Sequence, residues 1–200
     1  MGGRLGLVLA AGAGRRMGVP KALVGAGNGE AWVARAARVL LEGGCDRVLV
    51  VLGAAADVAA AVLPADVSTT VADDWREGMS RSLAAGLRAA AADPARPDQV
   101  VVHLVDLPDV TAAVVRRVLD AAGGGPDALA RAVHDGRPGH PAVIGRAHWD
   151  QVLAGLTGDH GAGRFLARSG ALAVECADLA DGRDADTPEA RHAPPGRELT

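Results

Sequence analysis

The sequence predicts an α/β fold in which a mostly parallel sheet is covered by helices on both faces, and three observations carry that prediction. Short runs rich in valine and leucine alternate with longer alanine-rich segments of helical character, the pattern of buried parallel strands joined by crossover helices. The first apolar run passes directly into a glycine-rich segment, where a doubly wound sheet places its ligand crevice. After Gly123-Gly124-Gly125 the alternation breaks and two strand-like runs flank a turn sequence, so a small hairpin excursion is expected in the C-terminal half. The expected architecture is a single-domain, Rossmann-like, doubly wound sheet, for which 200 residues supply one substantial core rather than two.

Taken in order, strands are expected at residues 5–10, 47–52, 67–71 and 99–105, where valine and leucine dominate. Helices are expected at residues 30–41, 55–63, 79–92 and 111–122, with Thr111 as the cap of the last. Strand-like runs at residues 128–134 and 142–144 flank Asp135-Gly136-Arg137-Pro138, whose residues favour a turn. Helical segments follow at 149–156 and 164–169, and a last strand at 172–176. The domain is expected to span residues 1–191; from 192 onward the chain is Pro-rich and polar, and is expected to fray.

Composition excludes several classes of function. A formal net charge of −3 gives no basic field to gather nucleic acid, so none is expected as a partner. Cys45 and Cys176 are too few for a disulfide framework and lack the spacing of a zinc site, which suits a reducing compartment; both are expected to be buried. The apolar run 5–11 after Arg4 is short for a signal peptide and is followed at once by Arg15 and Arg16. No stretch approaches the roughly 20 apolar residues that span a bilayer. A cytoplasmic location without a membrane partner is expected.

The segment Leu9-Ala10-Ala11-Gly12-Ala13-Gly14-Arg15-Arg16-Met17-Gly18-Val19-Pro20-Lys21 is the first candidate site. Glycines at 12, 14 and 18 let the backbone turn tightly and bring its N–H groups close to phosphate oxygens, and Arg16 and Lys21 add positive charge. Lys21 is the only lysine among 21 basic residues, placed where a compact, flexible point charge is useful. Two better-known phosphate loops do not fit. A P-loop needs Ser or Thr after its lysine, whereas Ala22 follows Lys21. A dinucleotide fingerprint wants its third glycine one place earlier and an acid after the second strand, which instead ends at Gly53. That missing acid also counts against a nicotinamide-dependent oxidoreductase; a non-catalytic nucleotide sensor stays open.

The LAAG-x-G-x-RMG-x-PK signature of this loop resembles that of the MobA-like nucleotidyltransferases, most closely the molybdenum cofactor cytidylyltransferase branch. The resemblance implies that Leu9, Ala10, Ala11, Gly12 and Gly14 wrap the triphosphate with Arg16 and Lys21 on its oxygens. It runs in the family's order from Leu9 to Glu189. Asp106-Leu107-Pro108 ends the fourth expected strand, at the same sheet edge as the loop, where one carboxylate beside a phosphate loop can hold Mg²⁺; turn chemistry alone also accounts for an Asp there. The family's Asp-x-Pro element carries a metal ligand, which implies that role for Asp106. Asp184-Ala185-Asp186-Thr187-Pro188-Glu189 is similar to a late family element and implies Asp186 as the second metal carboxylate, although such a run also suits a helix start.

Gly78-Met79-Ser80-Arg81-Ser82-Leu83 resembles the family's G-M-S-x-S-L segment, with Ser82 as the candidate nucleotide contact; both serines equally suit a helix start. The asparagine expected upstream is absent, Ala72 standing nearest its place. Gly139-His140-Pro141 and Gly158-Asp159-His160-Gly161-Ala162 match elements that shape the acceptor side, implying Gly139, His140, Pro141, Asp159 and Gly161 there. The arginine that usually follows the second element is displaced by Gly163 to Arg164. His103 is expected to be a satisfied core histidine, and Trp32, Trp75 and Trp149 to serve packing.

The resemblance implies transfer of a nucleoside monophosphate from a nucleoside triphosphate to a phosphate-bearing small molecule, with Mg²⁺. Guanylyl-transferring relatives have Leu-Ala-Gly-Gly where this chain has Leu9-Ala10-Ala11-Gly12, so CMP is favoured over GMP and molybdopterin is the first acceptor to test. A sugar phosphate or other phosphorylated metabolite stays open as acceptor.

Overall fold

The structure, a computed structural model, describes residues 3–15, 17–25 and 29–185. Among them a seven-stranded sheet runs through the molecule in the order β3-β2-β1-β4-β6-β5-β7. Its strands are β1 (Arg4–Leu9), β2 (Arg47–Leu52), β3 (Ser68–Val71), β4 (Gln99–Leu104), β5 (Leu129–His134), β6 (Arg137–Gly145) and β7 (Leu172–Glu175). The helices are α1 (Trp32–Glu42), α2 (Ala56–Ala61), α3 (Met79–Ala92), α4 (Ala112–Ala122), α5 (Trp149–Gly155) and α6 (Gly163–Arg168). Strands β1 to β4 pair in parallel, β6 runs antiparallel to both β4 and β5, and β7 is parallel to β5. The expected mostly parallel, doubly wound sheet is therefore present.

The period-2 alternation of strand side chains builds two cores, one on each face. Val8, Val50, Val101 and Val143 point to the face covered by α1, α2 and α4. Leu7, Val51, Val102 and Ile144, their neighbours in sequence, point to the face covered by α3, α5 and α6. Gly86 lets α3 lie close to the sheet, since a Cβ there would stand 2.7 Å from a methyl of Leu7. With both faces covered, central strands are apolar at nearly every position, which is why they read as continuous runs.

Chain order fixes where a ligand can bind. From β1 the chain winds outward through α1 and α2 to the edge strand β3, then α3 crosses the opposite face and returns to β4 on the other side of β1. The winding thus changes direction between β1 and β4, and the crevice outside their carboxyl ends is the switch point.

The hairpin is larger than expected. Its turn is only Asp135-Gly136, both with positive φ as a two-residue hairpin requires. Arg137 and Pro138 are already in β6, which pairs with β5 as far out as His134 and Arg137. Thr111 stands at the N-cap of α4, but its side chain makes no capping hydrogen bond. Both cysteines are buried and free, and burial pushes the Cys45 thiol up to about 12. Among the described residues no helix is long and apolar enough to cross a membrane. The expected tail from 192 lies outside the described residues.

His103, on β4, is 1 % exposed, as a core residue should be, but its Nδ1 has no hydrogen-bond partner among the described residues. The expected core position is thus found, but Nδ1 is not satisfied. Burial pushes its pKa down to about 3, with His140 and Arg35 acting in the same direction. The unfolded chain takes up this proton near pH 6.5 while the folded one does not, so stability present above that pH is lost as the pH falls toward about 3. At pH 5 the cost is about 2 kcal/mol. His103→Leu is therefore expected to lose less stability between pH 7 and pH 5 than the parent, by about that amount. Urea unfolding at the two pH values checks this, and equal losses would show that the imidazole is not held neutral.

Candidate active site

A cleft of about 460 Å³ opens at the carboxyl edge of the sheet, at the switch point. Three segments line it. The glycine-rich loop supplies Leu9, Ala11, Gly12, Ala13, Gly14, Arg15 and Lys21; the end of β4 supplies Leu104, Val105 and Asp106; and the start of α3 with its approach supplies Trp75, Arg76, Gly78, Met79 and Ser82. Asp159, from the loop between α5 and α6, completes the wall.

The loop keeps its shape through its own backbone and a few buried anchors. Ala10 and Ala54 N–H groups donate to Val51 and Ala11 carbonyls at 2.9 and 3.0 Å, extending the pairing of β1 with β2. The Met17 N–H donates to the Gly14 carbonyl at 2.8 Å, while Met17, Ala22 and Val24 are buried in the core beneath α1. Gly14 has φ +59, and a Cβ there would overlap the Val19 carbonyl oxygen, so no other residue fits. The loop ends in a single 3-10 turn, Lys21–Leu23, which aims the lysine back into the cleft.

There Lys21 Nζ donates to Asp106 Oδ2 at 2.5 Å, an ion pair between residues 85 positions apart. Both side chains are mostly sheltered, 20 % and 14 % exposed, so the pair forms in the cleft floor rather than in bulk water. Leu9 is directly opposite Leu104 in the parallel register, which brings the chain segments after β1 and β4 to the same level.

At the opposite wall Gly78 has φ +121 and lies against the 158–159 turn, where a Cβ would meet the Gly158 carbonyl oxygen at 2.5 Å and Asp159 Oδ1 at 2.6 Å. The Ser80 N–H donates to the Gly158 carbonyl at 3.1 Å, tying the start of α3 to the loop that carries Asp159. Ser82 is buried at the cleft wall. Gly161 lies behind this contact, a Cβ there standing 3.4 Å from Met79 Sδ.

Gly139-His140-Pro141 reaches the same sheet edge by another route: β6 is antiparallel to β4, so it begins where β4 ends. These three residues do not line the cleft itself. His140 Nδ1 donates to the Val102 carbonyl at 3.3 Å. Burial pushes the imidazole down to about 4; the Val102 contact opposes this, Arg131 adds to it, and Asp106 opposes it. The ring is therefore uncharged at neutral pH.

Several sequence expectations need correction or sharpening. Trp75 does not serve packing alone: it is half-buried in the cleft wall, with the Arg76 guanidinium 4.7 Å above its ring. Nothing in its sequence neighbourhood distinguished it from Trp32 and Trp149, which are buried. Ala10 is buried behind the loop rather than lining the cleft. The displaced Arg164 is exposed outside the cleft and donates to His160 Nε2 at 2.9 Å. Ala72 is buried and donates its N–H to the Leu52 carbonyl at 2.9 Å, so its side chain offers the cleft nothing. Arg16 and Asp186 lie outside the described residues.

The donor chemistry fits a hard divalent cation carried in with a polyphosphate. Asp106 presents a carboxylate at the cleft floor, and no cluster of three or more His, Cys, Asp or Glu exists among the described residues. Such a site matches Mg²⁺ chemistry, in which one or two carboxylates bind and phosphate oxygens and waters complete the shell.

Comparison with known proteins agrees with this geometry. Residues 6–174 match the model of the MobA-like NTP transferase domain. Nicotine blue oxidoreductase from Paenarthrobacter nicotinovorans is 35 % identical over 195 residues, covering 92 % of each chain. Rv0371c from Mycobacterium tuberculosis, solved in complex with manganese, is 27 % identical with a TM-score of 0.70, covering 94 % of this chain and 95 % of that one. A nucleotidyl transferase from Methanothermobacter shares the fold at a TM-score of 0.77 and 23 % identity, covering 94 % of each.

Local backbone geometry separates the loop glycines. Gly14→Ala and Gly78→Ala are each expected to destabilise the fold by about 1–3 kcal/mol, because each combines positive φ with an overlap. Gly12→Ala, with nothing within 4 Å of its Cβ, is expected to leave the melting temperature unchanged. Thermal unfolding of the three variants checks the contrast; an unaffected Gly14→Ala would mean that the loop adopts another conformation.

Proposed function

The chain belongs to the MobA-like NTP transferase family, and from that premise we propose that it transfers a nucleoside monophosphate, CMP in preference to GMP, from a nucleoside triphosphate to a phosphate-bearing small molecule with release of pyrophosphate. Molybdopterin is the first acceptor; a sugar phosphate or another phosphorylated metabolite is the alternative. The observation that carries this reading is the meeting of the chain's only lysine with Asp106 in the floor of a cleft walled by a glycine-rich loop.

Each site residue has a proposed task. Backbone N–H groups of the 11–14 loop would bind the polyphosphate, and Arg16, outside the described residues, is assigned to add positive charge. Asp106 holds Lys21 in the cleft through the Nζ–Oδ2 contact. Asp106 and Asp186 would hold Mg²⁺, with Lys21 placed to reach the phosphate oxygens. A Mg²⁺ ion held by them would supply neutralisation of phosphate charge. Lys21 stabilises the charge that builds on the departing pyrophosphate, and the cleft walls hold the acceptor phosphate in line for attack on the α-phosphorus. The P–O bond to pyrophosphate breaks as the new one forms, without a covalent enzyme intermediate. Ser82 is assigned to the nucleoside. Asp159, Gly161 and the Gly139-His140-Pro141 element are assigned to the acceptor side, where the neutral His140 acts as a hydrogen-bonding group rather than as a cation.

The 35 % identity to nicotine blue oxidoreductase favours a second reading, in which the same cleft serves an oxidoreductase reaction. Trp75 and the apolar wall of Leu9, Met79, Leu104 and Val105 suit a flat ring. The absence of an acid after β2, where Gly53 and Ala54 stand, weighs against a nicotinamide dinucleotide as its reductant.

Pyrophosphate release measured with Mg²⁺ and each of CTP, GTP, ATP and UTP, with and without molybdopterin, tests the first reading. Acceptor-dependent release with CTP is expected, abolished in Asp106→Ala and reduced about 10²–10³-fold in Lys21→Ala with the fold intact. The second reading predicts instead redox conversion of nicotine blue in the presence of an added electron donor, and no pyrophosphate. Triphosphate binding with neither activity would point to a nucleotide sensor.

A further inference from the structure

Among the described residues Trp75 is the one aromatic ring that lines the cleft. It opens a single 3-10 turn, Trp75–Glu77, between β3 and α3. Backbone bonds tie the turn on both sides: the Trp75 N–H donates to the Ala72 carbonyl at 3.1 Å, and the Gly78 N–H donates to the Trp75 carbonyl at 3.3 Å. Arg81, in the first turn of α3, spans it from outside, pairing with Asp74 at 3.5 Å and with Glu77 at 2.6 Å. The Arg76 guanidinium lies 4.7 Å above the indole ring, a cation over a π face that holds the ring in plane.

What the indole covers tells which part of a ligand it meets. A Cβ on Gly53 would stand 2.7 Å from Trp75 Cγ and 2.8 Å from the Ala11 Cβ, so the ring lies against the residue that follows β2 and beside the start of the glycine-rich loop. In a doubly wound sheet the loop after the first strand takes phosphates, and the end of the second strand faces the nucleoside joined to them, where a dinucleotide fold keeps an acid for the ribose. Here that position has no side chain, and an indole occupies the space. An acid would offer hydrogen bonds to a sugar, whereas an indole offers a flat apolar face that matches a nucleobase. Gly139-His140-Pro141 stands in β6, beyond β4 and on the other side of the loop, so a base on Trp75 leaves the acceptor side open.

We propose that Trp75 is the stacking platform for the base of the nucleotide, given its room by Gly53 and held in plane by Arg76. The inference rests on the nucleotidyltransferase reading above and adds to it the side chain that carries the base. Every nucleobase has a π face, so stacking raises affinity without choosing among bases. Choice between CTP and GTP then falls to hydrogen-bonding groups elsewhere in the cleft.

Full-length protein, Trp75→Ala, Trp75→Leu and Trp75→Phe are compared by equilibrium binding, with Mg²⁺ present, of CTP, GTP, ATP, UTP and inorganic tripolyphosphate, which has phosphates but no base. Trp75→Ala is expected to weaken all four nucleotides by a similar factor, about 5- to 150-fold, and to leave tripolyphosphate binding unchanged. Trp75→Phe keeps a flat ring and is expected to recover most of the affinity. Should Trp75→Ala fail to fold, Trp75→Leu, which keeps apolar bulk without a π face, is expected to show the same selective loss. Trp32 and Trp149 are 2 % and 3 % exposed, so tryptophan fluorescence reports Trp75 on binding: CTP is expected to quench it in the parent and tripolyphosphate is not. An equal loss of CTP and tripolyphosphate affinity would overturn the proposal, showing that the indole only braces the loop at Ala11. Parental CTP affinity in Trp75→Leu would overturn it by placing the base elsewhere. Parental protein that binds neither CTP nor tripolyphosphate would overturn it differently, by removing the nucleotide reading beneath it.

Discussion

The site depends on one adjacency: β1 and β4 lie side by side and in register, Leu9 opposite Leu104. They are distant in sequence and neighbours in space because α1 and α2 wind the chain outward over one face and α3 brings it back across the other. Both strands therefore release their following segments at the same place, with no intervening strand to fill it. The glycine-rich loop leaves one strand end and Asp106 leaves the other, and the Lys21–Asp106 pair closes the gap between them. A shift of the register by a residue would move Lys21 and Asp106 relative to each other and, because side chains alternate, would send core residues to the wrong face.

The two sides of the cleft are built on different physical terms. On the side of the glycine-rich loop the requirement falls on φ angles and on the absence of Cβ atoms, as at Gly14. On the other side loops meet across the sheet edge: Gly78 makes room for the 158–159 turn, and the antiparallel β6 brings Gly139-His140-Pro141 to the edge where β4 ends. The single antiparallel strand has that consequence. A parallel strand in its place would begin at the far edge of the sheet.

Elements and phosphate loop were legible for related reasons. Strands buried on both faces must be apolar throughout, and helices over them keep a 3.6-residue period, so the runs near residues 5–10, 47–52 and 99–105 gave themselves away. The hairpin was shorter in the reading than in the fold because Arg137, Pro138 and His140 look like turn or loop residues; pairing to β5 and β4 draws them into a strand. Trp75 was misplaced for a comparable reason, since a tryptophan in a cleft and one in a core carry the same local signal.

By itself the sequence determined the layered α/β class, the glycine-rich loop after the first strand and the presence of an acid at the end of the fourth strand. These are local properties, set by hydrophobic period, by glycine positions and by residue type. Tertiary structure alone decided that Lys21 and Asp106 form an ion pair, that Trp75 faces the cleft, that Arg164 does not, and that residues 181–185 return to lie along 106–109. Each of those is a meeting between segments far apart in the chain, governed by sheet order and backbone hydrogen bonds that any residue can make, and so leaves no mark in the identities of the residues involved.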